Sequence, residues 1–358
     1  MIEVRNIGLY LFGIILITSS CIETIELSND ASVKQYIAIN GQITNHSESY
    51  VVTVAKSGNT SSYSDKILDA KVEIFGSNGY TYELNPVNNG RYETDKNEPP
   101  GVIGASYFLV VTLQNGDIYQ SSTEQIHSVS PIEEVTFEYV KEPELNELLN
   151  IVDKKRVKIS VLNNMHDNPT ELFYKWDVTG EYEFRESEAL TDIYRFTNVG
   201  PVLLTCFVED LIHLGEVHVF DATDLTGQSQ FSREIKSIDV DYKFAFNYCV
   251  HVRQQSLTQE AYQFWDKVEG AVNTDGGLFE KTPGNITGNI YNVNDPNEKV
   301  LGYFYASAVV EKKLFISPDD VGNPVSPCYV IDDDFTAECM ECLEIENSRR
   351  GIPDYWPR

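Results

Sequence analysis

The chain has 358 residues, with 55 acidic against 27 basic side chains and a formal net charge of −28. A charge of that sign repels a phosphate backbone, and no basic stripe opposes it, so nucleic-acid binding is excluded. A hydrophobic content of 42% with 11% aromatics excludes disorder, and the length allows two domains, each with its own core.

Arg5 precedes an apolar run at 7–17 (IGLYLFGIILI), too short to span a bilayer comfortably, and Thr18-Ser19-Ser20 leads into Cys21. A short apolar segment ending in small residues and a cysteine reads as a bacterial lipoprotein signal over 1–20. Cys21 is then the lipidated first residue of the mature chain, and 21–32 is an acidic tether. No other segment is long and apolar enough to span a membrane, which places the membrane link at the lipid.

From residue 33 the pattern is β. Residues 36–40 (YIAIN) alternate, and 50–55 (YVVTVA) form a dense β-branched run. Residues 70–75 (AKVEIF) alternate apolar with charged, and Asn78-Gly79 turns them into 80–84. Asn89-Gly90 and Asn115-Gly116 mark further hairpins, the latter closing 107–113 (YFLVVTL) onto 118–121. Short strands at this spacing predict an antiparallel sandwich over 33–128, without a helix in its first hundred residues.

Pro131 marks the boundary to a larger β-rich block at 132–358. Residues 135–140 and 156–162 (RVKISVL) read as strands separated by an acidic helical or loop insert at 142–153. Residues 171–182 hold a strand with Trp176 as a core anchor, and 184–212, 213–220 and 242–253 continue the pattern. One helix is predicted near 257–269. Ser256 is its expected cap in a capping box with Gln259, and Gly270 its expected terminator. Leu257, Ala261, Phe264, Trp265 and Val268 share one face, which should pack on a sheet. Residues 301–310 and 312–316 read as closing strands. No period of 20–50 residues recurs, against solenoids and propellers.

Signals of catalysis are poor. The histidines 46, 127, 166, 213, 218 and 251 lack metal-ligand spacing, and no nucleophile-elbow, phosphate-loop, zinc-protease or dinucleotide fingerprint occurs. Asp332-Asp333-Asp334 fits a solvated loop better than a calcium site. Cys339-Met-Glu-Cys342 could be a zinc half-site, a redox pair or disulfide material, and structural disulfides suit its acidic, loop-like tail best. No cofactor and no metal are expected. Residues 279–292 (FEKTPGNITGNIYN) are the most unusual stretch. Gly284 and Gly288 relieve backbone strain there, while Thr282, Asn285, Thr287 and Asn289 are candidates for a partner-facing loop. Exposed aromatics would allow carbohydrate stacking, although Trp176 and Trp265 read as core residues.

Several motifs together carry a resemblance: the Cys21 start, 37–43 (IAINGQI), Ala70-Lys71-Val72, Gly90-Arg91-Tyr92, and 116–121 (GDIYQS). To these add 256–265 (SLTQEAYQFW), 283–289 (PGNITGN), 301–304 (LGYF), Cys339 with Cys342, and 353–356 (PDYW). Over nearly its whole length the chain resembles a family of outer-membrane lipoproteins of unknown function found in Bacteroidetes-type bacteria. The resemblance implies a transthyretin- or immunoglobulin-like sandwich for the first domain. It also implies a gene often neighbouring that of a TonB-dependent outer-membrane receptor. Family members often have Ser where Cys249 stands, which marks Cys249 as the unpaired thiol. Cys206, Cys328, Cys339 and Cys342 are then the disulfide candidates, with Cys206 as the distant partner.

The expected fold is therefore mainly β, a sandwich followed by a larger β-rich domain with one packed helix. The expected function is a non-enzymatic, lipid-anchored accessory of a TonB-dependent receptor at the outer membrane, exposed on the cell surface. A stand-alone carbohydrate-binding lipoprotein is the alternative.

Overall fold

The computed structural model describes residues 35–57, 65–146, 148, 150–165, 172–187, 204–212, 216–225, 227–273, 286–328, 337–339 and 341–357. The chain opens with β1 (Ile37–Thr44), β2 (Val51–Lys56), β3 (Asp65–Lys66), β4 (Lys71–Gly76), β5 (Thr81–Asn88) and β6 (Arg91–Glu93). It continues with β7 (Ser106–Thr112), β8 (Ile118–Ser121), β9 (Glu124–Gln125), β10 (Ile132–Leu145), β11 (Ile151–Asn164) and β12 (Phe173–Arg185). Then come β13 (Thr205–Asp210), β14 (His218–Asp221), β15 (Gln230–Asp239), β16 (Tyr248–Ser256) and helix α1 (Gln259–Val272). The last strands are β17 (Ile290–Asn292), β18 (Phe304–Ser307), β19 (Val309–Ile316) and β20 (Ser348–Arg349). The fold is mainly β with one packed helix.

Alternation of side chains builds the first layer. On β7 it buries Tyr107, Leu109 and Val111, on β2 Val52 and Val54, and on β1 Ile37, Ile39 and Ile43. These strands form one nearly closed, barrel-like sheet in the order β17-β8-β7-β4-β5-β6-β2-β1-β18. The two faces expected of a sandwich are continuous through β5. Its Tyr82 and Leu84 pair with β4, while Asn85 and Pro86 pair with β6.

Residues 286–308, counted in sequence with the second block, return to this first layer. They bring Ile290, Val300, Phe304, Ala306 and Ala308 into its core. β18 lies parallel to β1, with Gly41 opposite Phe304 and Ile43 opposite Ala306. Gly288 permits the approach, because a Cβ there would meet the Gly302 carbonyl oxygen at 1.7 Å.

The second core is enclosed by a three-stranded sheet, β10-β11-β15, and a six-stranded one, β19-β16-β12-β13-β20 with β14 also on β12. Val157, Ile159 and Val161 of β11 meet Tyr174, Trp176 and Tyr182 of β12 and Tyr248, Val250 and Val252 of β16 in that core. The acidic stretch 142–153, expected as a helical or loop insert, instead continues both strands. Leu145 pairs with Ile151, Glu144 with Val152 and Glu142 with Lys154. The acids are tolerated in a strand because bases oppose them. Lys158 Nζ lies 2.6 Å from Glu142, Arg156 contacts Glu142 and Glu144, and Lys154 reaches Asp239 at 2.9 Å.

Helix α1 buries Ala261 and Phe264 of the predicted face, and these, with Leu257 just before its cap, are set against Val217, Val219, Tyr303 and Tyr305. Its cap differs from the expectation. Ser256 still belongs to β16, opposite Tyr174, and its hydroxyl donates to the His127 carbonyl and accepts from Ala308 N. Thr258 caps instead, accepting from Ala261 N at 3.1 Å. Gly270 sits inside the helix, which ends at Asn273, where the side chain bonds the Val217 backbone. Residues Tyr36–Arg358 form one compact unit. Among the described residues no helix is long and apolar enough to cross a membrane.

Candidate functional site

The outward face of the six-stranded sheet is built by alternation on β12. Tyr174, Trp176, Tyr182 and Phe184 face the core, and Lys175, Asp177, Thr179, Glu181 and Glu183 take the other side. Register sets Asp177 opposite Arg253, Thr179 opposite His251 and Glu181 opposite Cys249. On the next strand His251 faces Lys313, and Arg253 faces Glu311. The result is a mixed-charge surface three strands wide.

Two adjoining hollows lie on it, sharing Thr179 and His251. One, of about 180 Å³, is lined by Glu181, Glu209, Asn347, Arg349 and Tyr355. The other, of about 220 Å³, is lined by Asp177, Arg253, Glu311, Lys312 and Lys313. Each is smaller than the roughly 300 Å³ at which enclosed small-molecule sites begin. Their size and alternating charge suit individual polar side chains of a partner.

Glu181 organises the first hollow. Arg349 Nη2 donates to its Oε1 at 2.6 Å, the Tyr355 hydroxyl donates to Oε2, and His251 Nε2 stands 3.7 Å from Oε2. Burial works against the charge of this carboxylate. The nearby His251 imidazole, the Tyr355 hydrogen bond and the Arg349 charge outweigh it and hold the pKa below the usual value. Glu181 therefore stays an anion and an acceptor at neutral pH. Tyr355 also places its ring 4.3 Å from Lys313 Nζ and edge-on to His251.

On the same face Cys249 is covered by Phe207, Phe315 and Trp356. Burial pushes its thiol up to about 12, so it remains protonated and unreactive in the folded chain. The other four cysteines are joined as Cys206–Cys342 and Cys328–Cys339. The two cysteines of the CxxC thus take different partners, which fastens the tail to β13 and places Arg349 of β20 beside Phe207.

The candidate partner loop divides. Thr282 and Asn285 lie outside the described residues, as do Cys21, His213 and the 332–334 aspartates. Thr287 is exposed. Asn289 is a clamp: its Nδ2 donates to the Phe304 carbonyl at 2.8 Å and to Ser122 Oγ at 3.0 Å, while its Oδ1 accepts from Phe304 N. Trp176 and Trp356 are buried, and Trp265 is half-buried on the inner side of α1. Among the described residues no group of three or more His, Cys, Asp or Glu could hold a metal ion.

The Glu181 cluster was not singled out from sequence. Alternation along 173–185 marks the polar face of β12. Its partners Arg349 and Tyr355 come from the tail by a pairing that sequence spacing does not show.

Residues 22–313 match the family described as "Domain of unknown function (DUF4249)". The chain belongs to this family. The matched stretch contains β1–β18 and stops within β19, so Cys342, Arg349 and Tyr355 lie beyond it. No curated protein matches the chain. Among solved structures, a DUF4785 family protein from Legionella pneumophila is similar at 9% identity and a TM-score of 0.18. That match covers 60% of this chain and 51% of the Legionella chain.

Proposed function

We propose that this DUF4249 protein is an outer-membrane lipoprotein, anchored through Cys21 and acting as a non-enzymatic, binding or lid-like accessory subunit of a TonB-dependent receptor. The observation that carries the anchor is the apolar run at 7–17 ending in Thr-Ser-Ser-Cys. The binding role is supported by the paired hollows on the outer sheet. They offer Asp177, Glu181 and Glu311 beside Arg253, Lys313 and Arg349, a pattern complementary to a polar protein surface. The resemblance to lipoproteins encoded beside such receptors supplies the class of partner.

A mild-detergent pull-down of the tagged lipoprotein from outer membranes, followed by mass spectrometry, tests this reading. Recovery of a TonB-dependent receptor near one-to-one is the expected result, together with loss of radiolabelled palmitate in Cys21→Ala. Recovery of the lipoprotein alone, under conditions that keep other receptor complexes whole, would overturn the receptor role. A glycan array would then test the stand-alone carbohydrate-binding alternative.

A further inference from the structure

Strands β10 and β11 extend beyond their sheet. The neighbouring β15 ends where Asp239 pairs with Arg156, and the last bond on that side runs from Val240 N to the Lys155 carbonyl. Past this point, among the described residues, the two strands pair only with each other up to Leu145 and Ile151. The hairpin thus projects as a two-stranded arm, and its turn is held by Asn146, which accepts from Leu148 N and Asn150 N.

The two faces of the arm differ. One carries the ladder of Glu142, Glu144, Lys154, Arg156 and Lys158 described above, which stiffens it. The other continues the core-facing side of the sheet with no layer over it among the described residues: Lys141, Pro143, Leu145, Ile151, Asp153 and Lys155 are all exposed. At the tip Leu145 is 60% exposed, Leu148 79% and Ile151 75%. An apolar tip on a two-stranded ribbon is costly in water.

Lys141 stands directly opposite Lys155. Like charges so placed repel, and neither lysine has an ion pair among the described residues. In a chain with twice as many acids as bases, an uncompensated lysine pair behind an apolar tip calls for an anionic, apolar-cored partner. Asp153 is the one acid on this described face, and Glu147 lies outside the described residues. Pro143 lacks an N–H and blunts the outer edge of β10, which disfavours a partner that adds a strand there.

We infer that the tip of this arm inserts into an anionic lipid leaflet, Leu145, Leu148 and Ile151 entering the acyl boundary while Lys141 and Lys155 meet headgroup phosphates. The spacing fits. Lys141 lies four strand steps back from Leu145, about 14 Å. A lysine reaching back toward the tip then meets the headgroups when the tip is buried about 5–10 Å, the usual depth of interfacial segments. The inference rests on the proposed membrane anchoring and adds a second contact with the membrane.

The test uses the full chain carrying Leu148→Trp, reconstituted into phosphatidylglycerol or phosphatidylcholine vesicles with brominated acyl chains. The substitution is at an exposed position and leaves the core intact. In phosphatidylglycerol the added emission should shift to the blue and be quenched, well beyond the unsubstituted chain. Lys141→Gln or Lys155→Gln should each lower the inserted-to-free ratio about fivefold. Added emission that stays water-like, or quenching equal in both lipids and indifferent to the lysines, would overturn the inference. So would shielding of the tip only on addition of a co-purified protein. A receptor recovered in the pull-down with an unquenched tip would sink this inference and leave the accessory reading standing.

Discussion

Arg253 and Glu48, 205 residues apart, form a two-pronged ion pair in which Arg253 Nη1 donates to Glu48 Oε2 at 2.9 Å and Nη2 to Oε1. Arg253 belongs to β16 of the second core, and Glu48 follows β1 of the first. Burial raises the Glu48 pKa, but Arg253 and the Thr44 hydroxyl outweigh it, and the net value lies below the usual one. The stabilisation is therefore present above the ordinary carboxylate pKa and is lost as pH falls through the lower folded value. Glu48→Gln should cost about 1.5–3 kcal/mol at pH 7, the range for bonds to charged groups. Urea unfolding between pH 7 and pH 3 should show a shallower pH dependence in the variant.

Glu124 behaves with the opposite sign. It is buried and accepts from the Tyr303 hydroxyl and Thr258 Oγ1, each at 2.7 Å. Burial raises its pKa despite these bonds. The folded chain then holds this proton more tightly than the unfolded one, so stability declines as pH rises from the unfolded to the folded value. Glu124→Gln should remove that decline and stay within about 1 kcal/mol of the parent at pH 7. Glu124→Ala, which strands the two hydroxyls, should cost roughly 2–3 kcal/mol.

The disulfides should contribute unequally. Cys206–Cys342 spans 136 residues and Cys328–Cys339 spans 11. By loop-closure entropy the first is worth about 5 kcal/mol and the second about 3 kcal/mol. Chemical denaturation of Cys206→Ser/Cys342→Ser and Cys328→Ser/Cys339→Ser double variants measures the order.

Trp356 should control access to Cys249. In the native chain the thiol should resist a maleimide and react only on unfolding. Trp356→Ala opens the cover formed with Phe207 and Phe315 and should raise the labelling rate more than tenfold, at a cost of about 3–5 kcal/mol in stability. Labelling that stays as slow as in the parent would show that the tail does not seal the thiol.

Gly288→Ala places a methyl against the Gly302 carbonyl oxygen, a backbone atom that cannot rotate away. About 1–3 kcal/mol of destabilisation is expected from thermal unfolding. Gly270→Ala, in open space within α1, should instead stabilise by about 1 kcal/mol.

Alternation and turn chemistry made the strands legible: Asn78-Gly79 and Asn115-Gly116 each sit at a hairpin, with Gly79 and Gly116 at positive φ. The helix face was legible for the same reason, since its period is local. Its cap was not, because Ser256 and Thr258 are both good capping residues and the extent of β16 chose between them. The 142–153 stretch misled because its acids are stabilised by bases on the opposing strand, a pairing absent from local composition. Glu181, Arg349 and Tyr355 escaped notice for the same reason, since tertiary pairing of β13 with β20 brings them together.

The parallel pairing of β1 with β18 has a consequence in time. An N-terminal segment leaving the ribosome carries Ile39 and Ile43 early, yet the strand that flanks them is made some 260 residues later. Until then the first barrel keeps an open seam, and the nascent chain cannot lock its earliest strands into their final state. Such a chain remains threadable late into synthesis, its first barrel closing only after β18 has been made.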